Sequence, residues 1–212
     1  MSDAMEITIN SHASIRVAGE RVCYFDPFQL REAPRDGQII FITHDHFDHF
    51  SPEDIARAAG EDPVFVVPAF MAEQVAALGR VVALLPGERA TVDGVAVEAV
   101  AAYNPHKKFH PREKQYLGYV VTLEGQRVYV CGDTDATPEA LAVRCDVVLC
   151  PVGGTYTMTA REAAELCNTI RPRLAIPTHY GSGVVGSAQD GETFRRLVDG
   201  GITVKLLVED AK

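Results

Sequence analysis

Gln38-Ile39-Ile40-Phe41-Ile42-Thr43 runs straight into His44-Asp45-His46-Phe47-Asp48-His49. The first six residues are almost all apolar and rich in β-branched side chains. That composition suits a strand buried on both faces of a sheet, which is typical of sheets covered by helices. The next six reverse the chemistry, with three of the chain's seven histidines and two aspartates in one short segment. Loops at the ends of buried strands are where rigid sheets carry their sites. Imidazole and carboxylate at this density can converge on divalent ions. Nitrogen and oxygen donors without thiolate suit zinc, manganese or iron.

Upstream of this stretch, residues 5–9, 14–17 and 21–25 read as strands, the last ending at Asp26-Pro27. Downstream, Ser51 is placed to cap a helix with Pro52 at its first position and Asp54 completing a capping-box pattern, and Gly60 stops it. A strand over 63–67, a helix over 68–78 ended by Gly79, and strands over 81–84, 90–92 and 95–101 follow, with Asp93-Gly94 as a hairpin signal. Residues 104–115 form a loop. Strands 118–123 and 127–131 make a second hairpin across Glu124-Gly125-Gln126. A short helix then follows Thr137-Pro138, and 146–150 is a strand. Thr159 caps a helix to about residue 170 with Glu162 in the capping-box position. A strand over 174–177, a helix over 192–198 and a strand over 202–208 complete the order. The class is α/β, with two sheets covered by helices on the outside.

The 212 residues are 47% hydrophobic and 23% charged, enough for one sizeable core, so residues 1–212 read as a single domain. A net charge of −9 repels phosphate backbones, so neither nucleic acid nor an anionic membrane is the expected partner. A homo-oligomer stays open. No basic-then-apolar leader opens the sequence and no apolar run is long enough for a membrane span, so the expected location is cytoplasmic. The five cysteines, Cys23, Cys131, Cys145, Cys150 and Cys167, form no CxxC pair and read as free thiols in a reducing compartment. Strand alternation assigns Cys131 to the core although it adjoins Gly132-Asp133.

His44-Asp45-His46-Phe47-Asp48-His49 matches the HxHxDH signature and resembles the metallo-β-lactamase-fold hydrolases. Gly132-Asp133-Thr134-Asp135 and Thr178-His179-Tyr180-Gly181 follow in that family's order. The resemblance implies a four-layer αββα sandwich. It also implies that His44 and His46 hold a first metal, that Asp48, His49 and His179 hold a second, and that Asp133 bridges them. Asp48 or Asp133 would orient the attacking water. Within the superfamily, His12-Ala13-Ser14, Asp26-Pro27 and Pro151-Val152-Gly153-Gly154 look most like the L-ascorbate-6-phosphate lactonase-like branch. His12 and Asp26 are then candidates to hydrogen-bond the ligands. One position departs from the family. Where a third histidine for the first metal is usual, this chain has Ala101-Ala102-Tyr103-Asn104, and Asn104, His106 or His110 could complete the site. An amide oxygen there would favour manganese or iron over zinc.

One or two such ions would activate water for hydrolysis of an ester, lactone, amide or phosphoester. The locally basic loop 105–114, with Lys107, Lys108, Arg112 and Lys114, would attract a small anionic substrate such as a phosphorylated sugar acid. Thr155, Tyr156 and Thr157 could line the cleft. Three further readings are a metal-dependent nuclease or phosphodiesterase, an iron-dependent redox enzyme of the same fold, and a non-catalytic metal- or ligand-binding protein.

Overall fold

In the computed structural model, which describes residues 5–208, two sheets pack face to face and helices cover both outer faces. The first sheet holds β1 (Glu6–Ser11), β2 (Ser14–Ala18), β3 (Val22–Phe25), β4 (Gly37–Phe41), β5 (Ala59–Pro68) and β6 (Arg80–Leu84), in that order across the sheet. The second runs from β7 (Arg89–Val92) through β8 (Val95–Ala101), β9 (Leu117–Leu123), β10 (Gln126–Val130), β11 (Val147–Pro151) and β12 (Leu174–Thr178) to β13 (Thr203–Val204). Each sheet starts with antiparallel hairpins and turns parallel, at β3–β4 in the first and β10–β11 in the second.

The alternation along β4 explains the layers. Ile39 and Phe41 point between the sheets and join Phe25, Tyr119, Val121 and Leu149. Ile40 and Ile42 point outward and meet Ile55 and Ala58 of α1 (Pro52–Ala58) and Val75 of α2 (Ala72–Val75). On the second sheet, Val148 and Cys150 of β11 pack against Ala163, Leu166 and Cys167 of α4 (Ala160–Ile170) and Phe194 of α5 (Ala188–Leu197), beside α3 (Pro138–Ala142). Each fully buried Phe or Ile contributes about 1.5–3 kcal/mol. The result is the four-layer αββα arrangement. Among the described residues no helix is long and apolar enough to cross a membrane. All five cysteines are free, and Cys131 is buried in the core.

Three expectations about elements change. The helix over 68–78 is only a 3-10 turn, Ala69–Met71, followed by the single-turn α2. β5 runs on to Pro68, and Gly79 must already lie against Pro63, where a Cβ would meet the Pro63 carbonyl oxygen at 2.5 Å. That leaves room for little more than one turn. α5 begins four residues before Glu192, because Asp190 accepts the Ser187 backbone N–H and caps it, and because Gly191 inside the helix makes way for the Tyr180 ring. The last strand pairs only over Thr203–Val204. Its ladder ends where Lys205 N–H donates to the Ala175 carbonyl, since the next donor due from β12 is Pro177, which has no N–H.

Candidate metal centre

Parallel strands end together along one edge of the sandwich, and the cluster is built there. β4 delivers Thr43 to His49, β3 delivers Asp26, β10 delivers Asp133 and β12 delivers His179. The β1–β2 turn adds His12, and the loop before β9 adds His110. Asp133 depends on Gly132, whose φ of +65° and close approach to the Leu117 carbonyl (2.8 Å from an added Cβ) leave no place for a side chain.

The side chains gather in two lobes that share Asp133. In the first, His44 Nε2 and His110 Nε2 each lie 3.1 Å from His46 Nδ1, and His110 Nε2 lies 3.3 Å from Asp133 Oδ2. In the second, His179 Nε2 is 3.1 Å from Asp133 Oδ2 and 3.7 Å from Asp48 Oδ2. His49 Nε2 is 3.3 Å from Asp133 Oδ1 and 3.8 Å from Asp48 Oδ2. Of the three residues named for the open position of the first lobe, the structure brings in His110. His106 is exposed on the loop. Asn104 is buried beside His110, and its amide Oδ1 has no hydrogen-bond partner among the described residues. Its backbone N–H donates to the His110 carbonyl (2.9 Å), and its amide Nδ2 donates to the Tyr156 carbonyl, 3.1 Å from His110 Nδ1.

Asp26 ties the lobes together from behind. Its Oδ2 accepts from His49 Nδ1 (2.7 Å) and from the Thr43 hydroxyl (2.6 Å), and Thr43 Oγ1 in turn accepts from His44 Nδ1 (2.9 Å). Thr43 N–H fixes the other Asp26 oxygen at 2.8 Å. Both histidines thereby keep their proton on Nδ1 and turn an Nε2 lone pair into the site. His12, fully buried, spans Ser182 Oγ (2.8 Å) and Asp48 Oδ2 (3.2 Å). The Tyr116 ring lies tilted against His44 and edge-to-face with His46 and His110, while its hydroxyl donates to Asp45 (2.9 Å). Thr43, Ser182 and Tyr116 carried no signal in the sequence, because their roles exist only once distant loops meet.

The donor set fits a cation. His49 Nε2, His179 Nε2 and Asp133 Oδ1 are buried without a hydrogen-bond partner among the described residues. An orphan of this kind costs about 1–3 kcal/mol. The three facing nitrogens of His44, His46 and His110 cannot all be satisfied by protons. Burial lowers His110 to about 4, against the pull of Asp133, and lowers His44 far below the usual imidazole value with help from His49. Neutral imidazole is the ligand form. Burial would raise Asp48, but its hydrogen bond to His12 and the neighbouring His49 bring it down to about 2. Burial would also lower His49, yet Asp133 and Asp26 outweigh it and hold it well above its usual value, so positive charge is favoured at this spot.

The cluster opens into a cleft of about 540 Å³. Phe47, Phe109, Tyr156 and Val184 line its outer part, while Thr155 is exposed and Thr157 buried. None of the basic residues of loop 105–114 lines it. Lys107 is ion-paired with Asp135, and Arg112 reaches Glu139 (2.6 Å) at a second, larger hollow of about 810 Å³. Two of the loop's four basic side chains are therefore paired with neighbouring carboxylates.

The sequence profile of the β-lactamase superfamily domain matches residues 6–179. The chain belongs to this superfamily. Among superfamily relatives, the UPF0173 metal-dependent hydrolase of Thermococcus kodakarensis is 30% identical over 208 residues, covering 92% of each chain. The crystal structure of a proposed metal-dependent hydrolase from Parabacteroides distasonis superposes with a TM-score of 0.79 at 28% identity, over 97% of this chain and 94% of that one. CmlA, a diiron β-hydroxylase from Streptomyces venezuelae, shares the fold alone, with a TM-score of 0.75 at 15% identity over 98% of this chain and 53% of that one. The chain is a metal-dependent hydrolase of the superfamily.

If Asp26 sets both tautomers, Asp26→Asn should weaken metal binding about 10- to 100-fold, the usual cost of losing such a partner. Competition with a chromophoric chelator measures this. Affinity equal to wild type would remove Asp26 from the account.

Proposed function

We propose that the chain hydrolyses a small ester, lactone or phosphoester with water activated at one or two divalent transition metal ions. One observation carries this reading: seven side chains from four separate parts of the chain aim nitrogen and oxygen donors into two adjoining lobes that share Asp133. His44, His46 and His110 would hold one ion, Asp48, His49 and His179 the other, and Asp133 both. A bound ion supplies Lewis-acid polarisation of the substrate oxygen and a lowered pKa for water. The protein's own part is preorganisation. Asp26 and Thr43 hold protons away from the donor nitrogens of His44 and His49. Asp48, ionised down to about pH 2, can accept a hydrogen bond from the attacking water and orient it. His12 and Ser182 fix the Asp48 carboxylate for that task.

Three imidazoles and a carboxylate in the first lobe favour zinc, although the same donors accept manganese or iron. His12 and Asp26, both at the cluster, support placement in the lactonase-like branch. All 212 residues would act as one domain, on a small molecule in the cytoplasm. The test is chelation. Hydrolysis of a chromogenic ester panel should fall to background with a strong chelator and return on adding zinc, manganese or iron(II). Hydrolysis that survives complete metal removal would refute the proposal.

A further inference from the structure

We infer that the substrate presents an uncharged apolar group, aryl or alkyl, beside the scissile bond, and that Phe47 and Phe109 bind it. This rests on the hydrolase reading and specifies its substrate. Phe47 is 70% exposed and Phe109 46% exposed. Leaving two such rings in water gains the fold little, whereas apolar surface at the mouth of a polar cleft is the usual form of a ligand site. Both rings are anchored by their neighbours in sequence. Phe47 stands between His46 and Asp48, and Phe109 directly precedes His110. Each has an edge-to-face aromatic support, Phe28 for Phe47 (ring centroids 6.1 Å apart) and Tyr156 for Phe109 (4.7 Å). Aromatic side chains held this way lose little conformational entropy on binding.

Charge points the same way. Among the described residues, no Lys or Arg lines the cleft. The charged side chain there outside the clustered donors is Asp45, an exposed carboxylate. A phosphate or carboxylate on the flanking part of the substrate would meet that anion and the two rings, with no cation to pair it. An aryl or alkyl ester satisfies the same surroundings. Its hydrolysis balances without a co-reactant. Water oxygen bonds to the carbonyl carbon, the bond from that carbon to the leaving oxygen breaks, and the alcohol departs with the proton that water loses.

The test compares phenyl butyrate with 4-carboxyphenyl butyrate, and separately measures binding of 4-phenylbutan-2-one, an uncharged ketone that cannot be hydrolysed, by calorimetry on the metal-loaded protein. Wild type should favour the neutral ester at least tenfold in kcat/KM. Phe47→Ala with Phe109→Ala should weaken ketone binding about 10- to 100-fold, as expected for two lost ring contacts, and should raise KM for phenyl butyrate more than it lowers kcat. Metal content of the variant, measured alongside, shows that the neighbouring donors are undisturbed. Phe109→Ala alone, outside the HxHxDH run, should give part of the same loss, and Phe47→Leu should keep most of the binding. Equal kcat/KM for the two esters, or ketone binding unchanged in the double variant, would overturn the inference while leaving metal-dependent hydrolysis intact. Ketone binding that depends on the two rings, in a protein that hydrolyses neither ester, would support the apolar site and count against the hydrolase reading alone.

Discussion

The Asp133→Asn variant is expected to lose at least about 10³-fold in kcat/KM, equivalent to roughly 4 kcal/mol of transition-state stabilisation. Asp133 reaches both lobes. Its Oδ2 lies near His110 and His179 and its Oδ1 near His49, and it is almost completely buried. An amide keeps the shape but removes the charge that would offset bound metal. It also places an NH₂ where a donor atom must accept. Burial raises Asp133, but His179 and His49 overcome it and hold the carboxyl well below its normal range, so the group is fully ionised at neutral pH and the substitution removes a whole charge. Asp45→Asn is the matched control. It removes the same charge from the mouth of the cleft, where Asp45 Oδ1 only accepts from the Tyr116 hydroxyl. Metal content should persist in that control. Retention of more than about a tenth of wild-type activity by Asp133→Asn would show that the two lobes do not work through a shared carboxylate.

What could be read in advance was local. A doubly buried strand declares itself by the unbroken apolar run Ile39-Ile40-Phe41-Ile42. Asp93-Gly94 and Glu124-Gly125 adopt the positive φ angles that tight hairpins require, and Ser51, Thr137 and Thr159 cap the helices they precede. The HxHxDH run is similarly local, since neighbours in sequence stay neighbours in the loop. What failed depended on contacts between distant segments. Pro177 ends the last ladder only because β13 lies beside it, and Gly191 sits inside a helix only because Tyr180 needs its space. His110 and His106 look equivalent in sequence. The difference is that the Asn104–His110 backbone bond folds the loop so that one faces the cluster and the other faces solvent. The ion pairs of the basic loop were hidden for the same reason, because Asp135 and Glu139, which pair with Lys107 and Arg112, come from the far side of β9 and β10.

Metal content is the most direct measure of the central claim, that two lobes of donors around Asp133 form a metal centre. His46→Ala with His49→Ala removes one donor from each lobe and leaves Asp26, Thr43 and the strand beneath in place. Wild-type protein purified without chelator should carry at least one transition metal ion per chain by elemental analysis, and the double variant should carry less than about a tenth of one. Thermal denaturation supplies a parallel reading. An ion present at about a thousand times its dissociation constant adds roughly 4 kcal/mol, so chelator should lower the wild-type Tm by many degrees and leave the variant nearly unmoved. The account predicts metal in the wild type, its loss in the double variant, and chelator sensitivity only in the former. Equal metal content in the two proteins would contradict it.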